Sequence, residues 1–168
     1  MKIIFPVMGA ENISVAVMAT LCKDLGHSVK VAFDRALFDD KQYFSIDFLA
    51  NLFDKKKQVI EEIIKEKPDV LALSVFSDNY QWSLDLVRRV KEKHKNFVTV
   101  WGGIHPTSVP GEVIKEDAVD FVIEGDGELP MTKLLHALEN GKVFEDVPNL
   151  WFKRDGEIFS GKHTYLNE

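Results

Sequence analysis

Four short stretches of this chain carry the residue types that a ligand site needs. They are Met8-Gly9-Ala10-Glu11-Asn12, Ser74-Val75-Phe76-Ser77-Asp78-Asn79-Tyr80, Gly102-Gly103-Ile104-His105-Pro106-Thr107 and Gly125-Asp126-Gly127-Glu128. Each follows a short apolar run, and three of the four contain glycine. The pair Gly102-Gly103 removes two Cβ atoms, so a large ligand can approach the backbone closely. The side chains on offer are mostly small or neutral and polar, which suits cradling a ligand through backbone groups. Taken alone, the third stretch reads equally as an ordinary strand-to-helix turn, with Pro110 placed to open the next short helix.

No catalytic constellation accompanies these loops. The chain has no glycine-rich phosphate loop ending in lysine, and Gly125-Asp126-Gly127 lacks the position and spacing of a dinucleotide fingerprint. No histidine pair has metal-ligand spacing, and no serine sits in a nucleophile elbow. His105 is the one histidine in the loops, able to hydrogen-bond a ligand or to orient its own loop. His27 and His94 fall near helix C-termini, where the helix dipole accounts for them. His136, within a helix, and His163, in the tail, carry no assignment. Asp126 and Glu128 can act as acids, though the dipole also accounts for Glu128 at a helix start. The single cysteine, Cys22, excludes an internal disulfide and any multi-cysteine metal or iron–sulfur site within these residues, and reads as core. Neither a catalytic residue nor a metal ligand is assigned.

Positioning four such loops requires strands that end on one rim. Ile3 to Val7, Val29 to Phe33, Val70 to Ser74, Phe97 to Trp101 and Phe121 to Ile123 read as five strands, the third the most clearly buried. Between them lie helical patterns. Asn12 is an N-cap candidate, and Ile13, Val17, Met18, Leu21 and Leu25 form the expected sheet-facing stripe, ended by Gly26. Asp34 to Asp54 is read as a loop crossing one end of the sheet. The following helix carries Val59, Ile60, Ile63 and Ile64 and is closed by Pro68. Ser77 or Asp78 is expected to cap the next helix, with Trp82, Leu86, Val87 and Val90 inward. A brief helix around Glu112 to Glu116 precedes the fifth strand. A last helix with Met131, Leu134, Leu135 and Leu138 ends at Gly141. This alternation predicts an α/β fold, a doubly wound five-stranded parallel sheet in the order 2-1-3-4-5, with its crevice at the carboxyl ends of the first and third strands. Residues 150–159, with Asp155-Gly156 at the centre, predict a β-hairpin that leans on the domain or on something downstream, followed by a linker to Glu168.

The 168 residues suit one domain, and a net charge of -6 argues against nucleic acid as a partner. No run is long and apolar enough to cross a membrane, and Pro6 and Gly9 break the apolar N-terminus before it resembles a signal peptide. The expectation is a cytoplasmic protein.

Three segments carry a resemblance in their order and spacing. They are Asp69-Val70-Leu71-Ala72-Leu73-Ser74, Gly102-Gly103-Ile104-His105-Pro106-Thr107 and Val119-Asp120-Phe121-Val122-Ile123-Glu124-Gly125-Asp126-Gly127-Glu128. Together they resemble the N-terminal cobalamin-binding domain of B12-dependent radical SAM enzymes. The resemblance spans residues 1–145 and extends to the hairpin, leaving residues 146–168 as hairpin and linker toward a radical SAM domain outside this sequence. It implies a Rossmann-like (flavodoxin-like) domain that binds cobalamin at the carboxyl end of its sheet. Ser74 matches the serine that hydrogen-bonds the buried dimethylbenzimidazole, and Gly102 and Gly103 match the pair that lets the nucleotide tail pass. The implied contacts are Met8, Gly9, Asn12, Ser74, Val75, Phe76, Asn79, Gly102, Gly103, His105, Pro106, Thr107, Gly125, Asp126, Gly127 and Glu128.

Methionine-synthase-like domains place Asp-x-His-x-x-Gly after the first strand, and that histidine coordinates cobalt from below. Pro6 to Asn12 contains no histidine, so bound cobalamin is expected to lack both dimethylbenzimidazole and histidine as lower ligand. The three-cysteine motif of the radical SAM half is also absent, so S-adenosylmethionine and a [4Fe-4S] cluster belong only to a further domain. The chain then reads as the cofactor module of a methyltransferase or cyclase, excised rather than standalone. Receiver-like and flavodoxin-like readings fare worse, because the first turn offers neither an acidic cluster nor a hydroxyl-rich phosphate loop. A ligand-free interaction domain using the aromatic hairpin as its contact patch is the remaining alternative.

Overall fold

The computed structural model describes residues 1–9, 12–34, 55–141 and 143–162. Strands β1 (Lys2–Met8), β2 (Ser28–Asp34), β3 (Val70–Ser74), β4 (Val98–Gly102) and β5 (Phe121–Ile123) run parallel in the expected order 2-1-3-4-5. The hairpin strands β6 (Leu150–Arg154) and β7 (Glu157–Ser160) continue the same sheet antiparallel beyond β5. The ribbon leans on the domain by pairing Phe121 with Phe152 and Ile123 with Leu150. Its aromatics are not a free patch, because Phe152 is buried and Phe159 stacks on it at 5.4 Å.

Side chains alternate across the strands, so each residue parity feeds one face. Ile3, Phe5, Ala72, Val100 and Ile123 meet helices α1 (Ile13–Asp24) and α6 (Glu128–Asn140) on one side. Ile4, Leu71, Leu73, Trp101 and Val122 meet α2 (Lys55–Glu66), α3 (Tyr80–Lys93) and the short α5 (Pro110–Val113) on the other. Pro110 opens α5, and Gly141 ends α6 in the left-handed conformation. Val59, Ile60 and Ile63 of α2 are buried as read, whereas the expected crossing loop lies outside the described residues after Asp34.

Three local expectations are corrected. Helix α1 faces the sheet through Val15, Ala19 and Cys22, while Ile13, Val17 and Leu25 are exposed. Strand β2, a strand as read, buries Ala32 and Asp34 and exposes Val31 and Phe33, and Asp34 accepts from Trp82 Nε1 at 3.3 Å. Asn79, not Ser77 or Asp78, stands at the N-cap of α3. The stretch after β4 is not a loop throughout, since α4 (Ile104–Ser108) begins directly after Gly103.

A polar knot fixes the start of β4 against the start of β5. Asp120 Oδ2 accepts from Thr99 N at 2.8 Å and from Lys91 Nζ at 3.1 Å. Thr99, fully buried, donates its hydroxyl to Ala118 O at 2.8 Å and accepts from Asp120 N at 3.0 Å. Thr99→Val strands both partners in a dry environment. We expect a loss of about 1–3 kcal/mol in urea-unfolding stability with an unchanged circular dichroism spectrum.

Candidate functional site

The carboxyl ends of β3, β4 and β5 open onto one cavity of about 260 Å³ that lies between the sheet and α1. Its floor and walls are Phe5, Ala72, Val100 and Ile123 from the strands, Val15 and Met18 from α1, and Met131 from α6. The mouth carries Ser14, Asp126 and Glu128, all exposed. No described lining residue carries a positive charge. The slot that the sequence places here is open.

Ser74 ends β3 half-buried at the cavity, and its hydroxyl is held from behind. Asn12 Nδ2 donates to Ser74 Oγ at 3.1 Å, while Asn12 Oδ1 caps α1 by accepting from Val15 N at 3.3 Å. Both amide atoms are thereby committed, and no described residue accepts the Ser74 proton. A hydroxyl in that state is a donor waiting for an acceptor in the cavity.

The two glycines of the β4 turn have different reasons. Gly103 has φ +99, and a Cβ there would lie 2.8 Å from Val75 N and 2.9 Å from Val75 O. The protein's own backbone therefore demands that glycine. Val75 N donates to Gly102 O at 2.8 Å, and His105 N donates to Val75 O at 3.1 Å, so the β3 and β4 turns interlock over Gly103. At Gly102 a Cβ meets only Ile123 O, at 3.8 Å, so its bareness serves the cavity.

Of the residues expected to touch a ligand, Ser74, Gly102, Gly103, Gly125, Asp126, Gly127 and Glu128 line the cavity. The others stand behind or beside it. Asn12 holds Ser74, and Thr107 Oγ1 accepts from Gly125 N at 3.0 Å, steadying the opposite wall. Val75 and Pro106 are buried, and Asn79 Oδ1 accepts from Phe76 N at 2.9 Å within the β3 turn. His105 pairs through Nδ1 with Ser77 Oγ at 3.1 Å and its ring lies 4.4 Å from Tyr80, which favours the loop-orienting role. Burial, with the Glu116 carboxylate nearby, raises the Tyr80 phenol, which stays neutral. Met8 falls in the parity of Ile4, on the opposite side of the sheet from the cavity, and Gly9 N is tied to Asp34 O at 2.8 Å.

What the sequence reading missed is the contribution of α1. Ile13, Ser14, Val17 and Met18 line the cavity, two of them from the stripe assigned to the core and still exposed. The signal was present: the first ten residues of α1 carry no charge, and a helix apolar on every side needs a second partner besides the sheet. Start-of-helix geometry adds a further feature, because no side chain caps α6 where Gly127 and Glu128 meet the mouth. Cys22 takes no part, since burial removes it from solvent and pushes its thiol up to about 11.

Known proteins match this arrangement. The family model described as the B12 binding domain matches residues 9–135. An uncharacterized methyltransferase of Pyrococcus horikoshii is 28% identical over 160 residues, covering 94% of this chain and 34% of its own length. The cobalamin-dependent radical SAM methyltransferase TokK of Streptomyces tokunonensis is 33% identical over 97 residues, covering 56% of this chain and 14% of its own. Among solved structures, the radical S-adenosylmethionine methyltransferase TsrM from Kitasatospora setae, with cobalamin and a [4Fe-4S] cluster bound, superposes with a TM-score of 0.73 at 15% identity, over 99% of this chain and 30% of its own. This chain thus spans about a third or less of the length of each. A model match over most of the sequence, an open crevice at the strand ends and a serine poised inside it agree: the chain belongs to the B12-binding domain family and resembles the cobalamin module of B12-dependent radical SAM enzymes.

Proposed function

We propose that this chain holds cobalamin with its nucleotide tail in the cavity and its corrin ring outside, over the rim, as the cofactor module of a radical SAM methyltransferase or cyclase. The observation that carries the reading is the Ser74 hydroxyl, held by Asn12 and left with a proton to donate inside an apolar slot. A cavity of about 260 Å³ falls below the ~300–1,000 Å³ usual for a whole drug-sized ligand, so it accommodates a bicyclic base but not the corrin. The uncapped start of α6 offers backbone N–H groups at the mouth, where a phosphodiester would pass. Asp126 and Glu128 beside it suit the amide N–H groups that fringe a corrin. When bound, the cofactor supplies a cobalt centre suited to methyl transfer or electron shuttling.

Two features bear on the lower face of that centre. The described part of the first turn holds no imidazole, and His105 is engaged with Ser77 and Tyr80 away from the cavity lining. With the base drawn into the slot, none of these residues would offer a nitrogen to the cobalt, and the cofactor would then supply the more accessible Co(I) that methyl transfer or electron shuttling uses. In this reading residues 1–145 hold the cofactor, and residues 146–168 lead toward a catalytic domain that brings S-adenosylmethionine and an iron–sulfur cluster.

Mixed with hydroxocobalamin and desalted, the protein is expected to keep near-stoichiometric pink or orange colour. A colourless, folded protein would instead support a ligand-free interaction domain. Ser74→Ala is expected to weaken retention about 2–10-fold, the worth of one hydrogen bond. Gly102→Leu is expected to abolish retention with the fold intact, whereas Gly103→Ala is expected to lower the melting temperature, because its Cβ strikes the Val75 backbone. Reduced to Co(II), the complex is expected to give an electron paramagnetic resonance spectrum without nitrogen superhyperfine splitting. Splitting from one nitrogen would overturn the lower-face assignment.

A further inference from the structure

The cavity lining divides by depth. Its inner wall is Phe5, Val15, Ala72, Val100, Ile123 and Met131, none more than 4% exposed. Every one of these side chains is a hydrocarbon or a thioether. Part of the backbone behind them is engaged in the fold: Ala72 faces Val100 and Val100 faces Phe121 in the parallel ladder, and Met131 N donates to Gly127 O at 2.8 Å. Polar lining side chains lie toward the opening, with Ser14, Asp126 and Glu128 exposed. Ser74 alone is half-buried, and Asn12 already donates to its oxygen, so what it has left to give is one proton. Among the described residues, the slot therefore offers one half-buried side-chain donor, Ser74, and no polar side chain along its inner wall.

Resting on the cobalamin reading, we infer that this inner wall selects the lower base of the corrinoid, taking 5,6-dimethylbenzimidazole and discriminating against purines such as adenine. Both bases present an aromatic nitrogen able to accept the Ser74 proton, so that contact does not separate them. The remainder of the bicycle does. Dimethylbenzimidazole carries only C–H groups and two methyls there, which exchange water for apolar contact at no polar cost. Adenine carries two further ring nitrogens and an exocyclic amine, and an apolar wall leaves them desolvated without partners. Met131 and Val100 are the positions where an isosteric polar side chain supplies such partners with the smallest change of shape.

The test is equilibrium binding of three corrinoids to the purified chain, read by visible absorbance after gel filtration. They are cobalamin, its adeninyl analogue, and cobinamide, which has no base. The expected order is cobalamin tightest, the adeninyl form weaker by about 10–100-fold, and cobinamide not retained. Met131→Gln and Val100→Thr, with their circular dichroism matched to the parent, are expected to narrow the gap between the two base-bearing forms. Equal affinity for cobalamin and the adeninyl form overturns the selectivity, as does an unchanged gap in both folded variants. Retention of cobinamide as firm as that of cobalamin shows that no base enters the slot and overturns it too. Failure to retain any of the three counts instead against the cofactor reading itself.

Discussion

The site depends on a steric constraint between two turns. Gly103 sits against the Val75 backbone so closely that no side chain fits, and this contact lets Val75 bond to Gly102 on one side and His105 on the other. Two adjacent strand ends are thereby clasped at a fixed height, with Ser74 and Gly102 paired in register at the cavity. Were the turns free to slide, the Ser74 hydroxyl would have no defined place relative to the wall opposite. Rigid support of this kind is what a binding site made of few polar groups requires, because each group must be in position before the ligand arrives.

The polar groups of the site are few. Asn12 ties two jobs together, since the amide that starts α1 also holds Ser74. The helix that walls the cavity and the hydroxyl inside it are therefore set by the same side chain. Helix α1 then meets the sheet through Ala19 and Cys22, small residues that let it seat closely, and leaves larger ones to the cavity and to solvent.

This explains how far the sequence could be read. The strands were legible because continuous β-branched runs such as Val70-Leu71-Ala72-Leu73 admit little else, and Asn12, Pro110 and Gly141 punctuate the helices as their chemistry dictates. The faces of α1 were not legible, because a helix apolar on all sides has no periodicity to declare which side is inward. The end of strand β2 was hidden for another reason: its inward Asp34 is stabilised by Trp82, forty-eight residues away, and no local pattern announces such a partner. Gly103 was recognised as a position needing glycine, and the backbone that crowds it is that of Val75 in the neighbouring turn. Residue types name a requirement without naming what imposes it.

The hairpin belongs to the site more than its late position in the chain suggests. Asn149 O accepts from Glu124 N at 3.0 Å, and Trp151 Nε1 donates to the Glu124 carboxylate at 2.9 Å, immediately before the Gly125–Gly127 turn. On its other side that turn is held by Thr107. The far wall of the cavity is thus strung between α4 and β6, so a displacement of the ribbon would be transmitted to the glycines that line the mouth. A strand pair added beyond a completed parallel sheet usually serves to cover an edge. Here it also fixes the one wall that has neither a long strand nor a capped helix to stiffen it, and that makes the ribbon's attachment to β5 a condition for the cavity's shape.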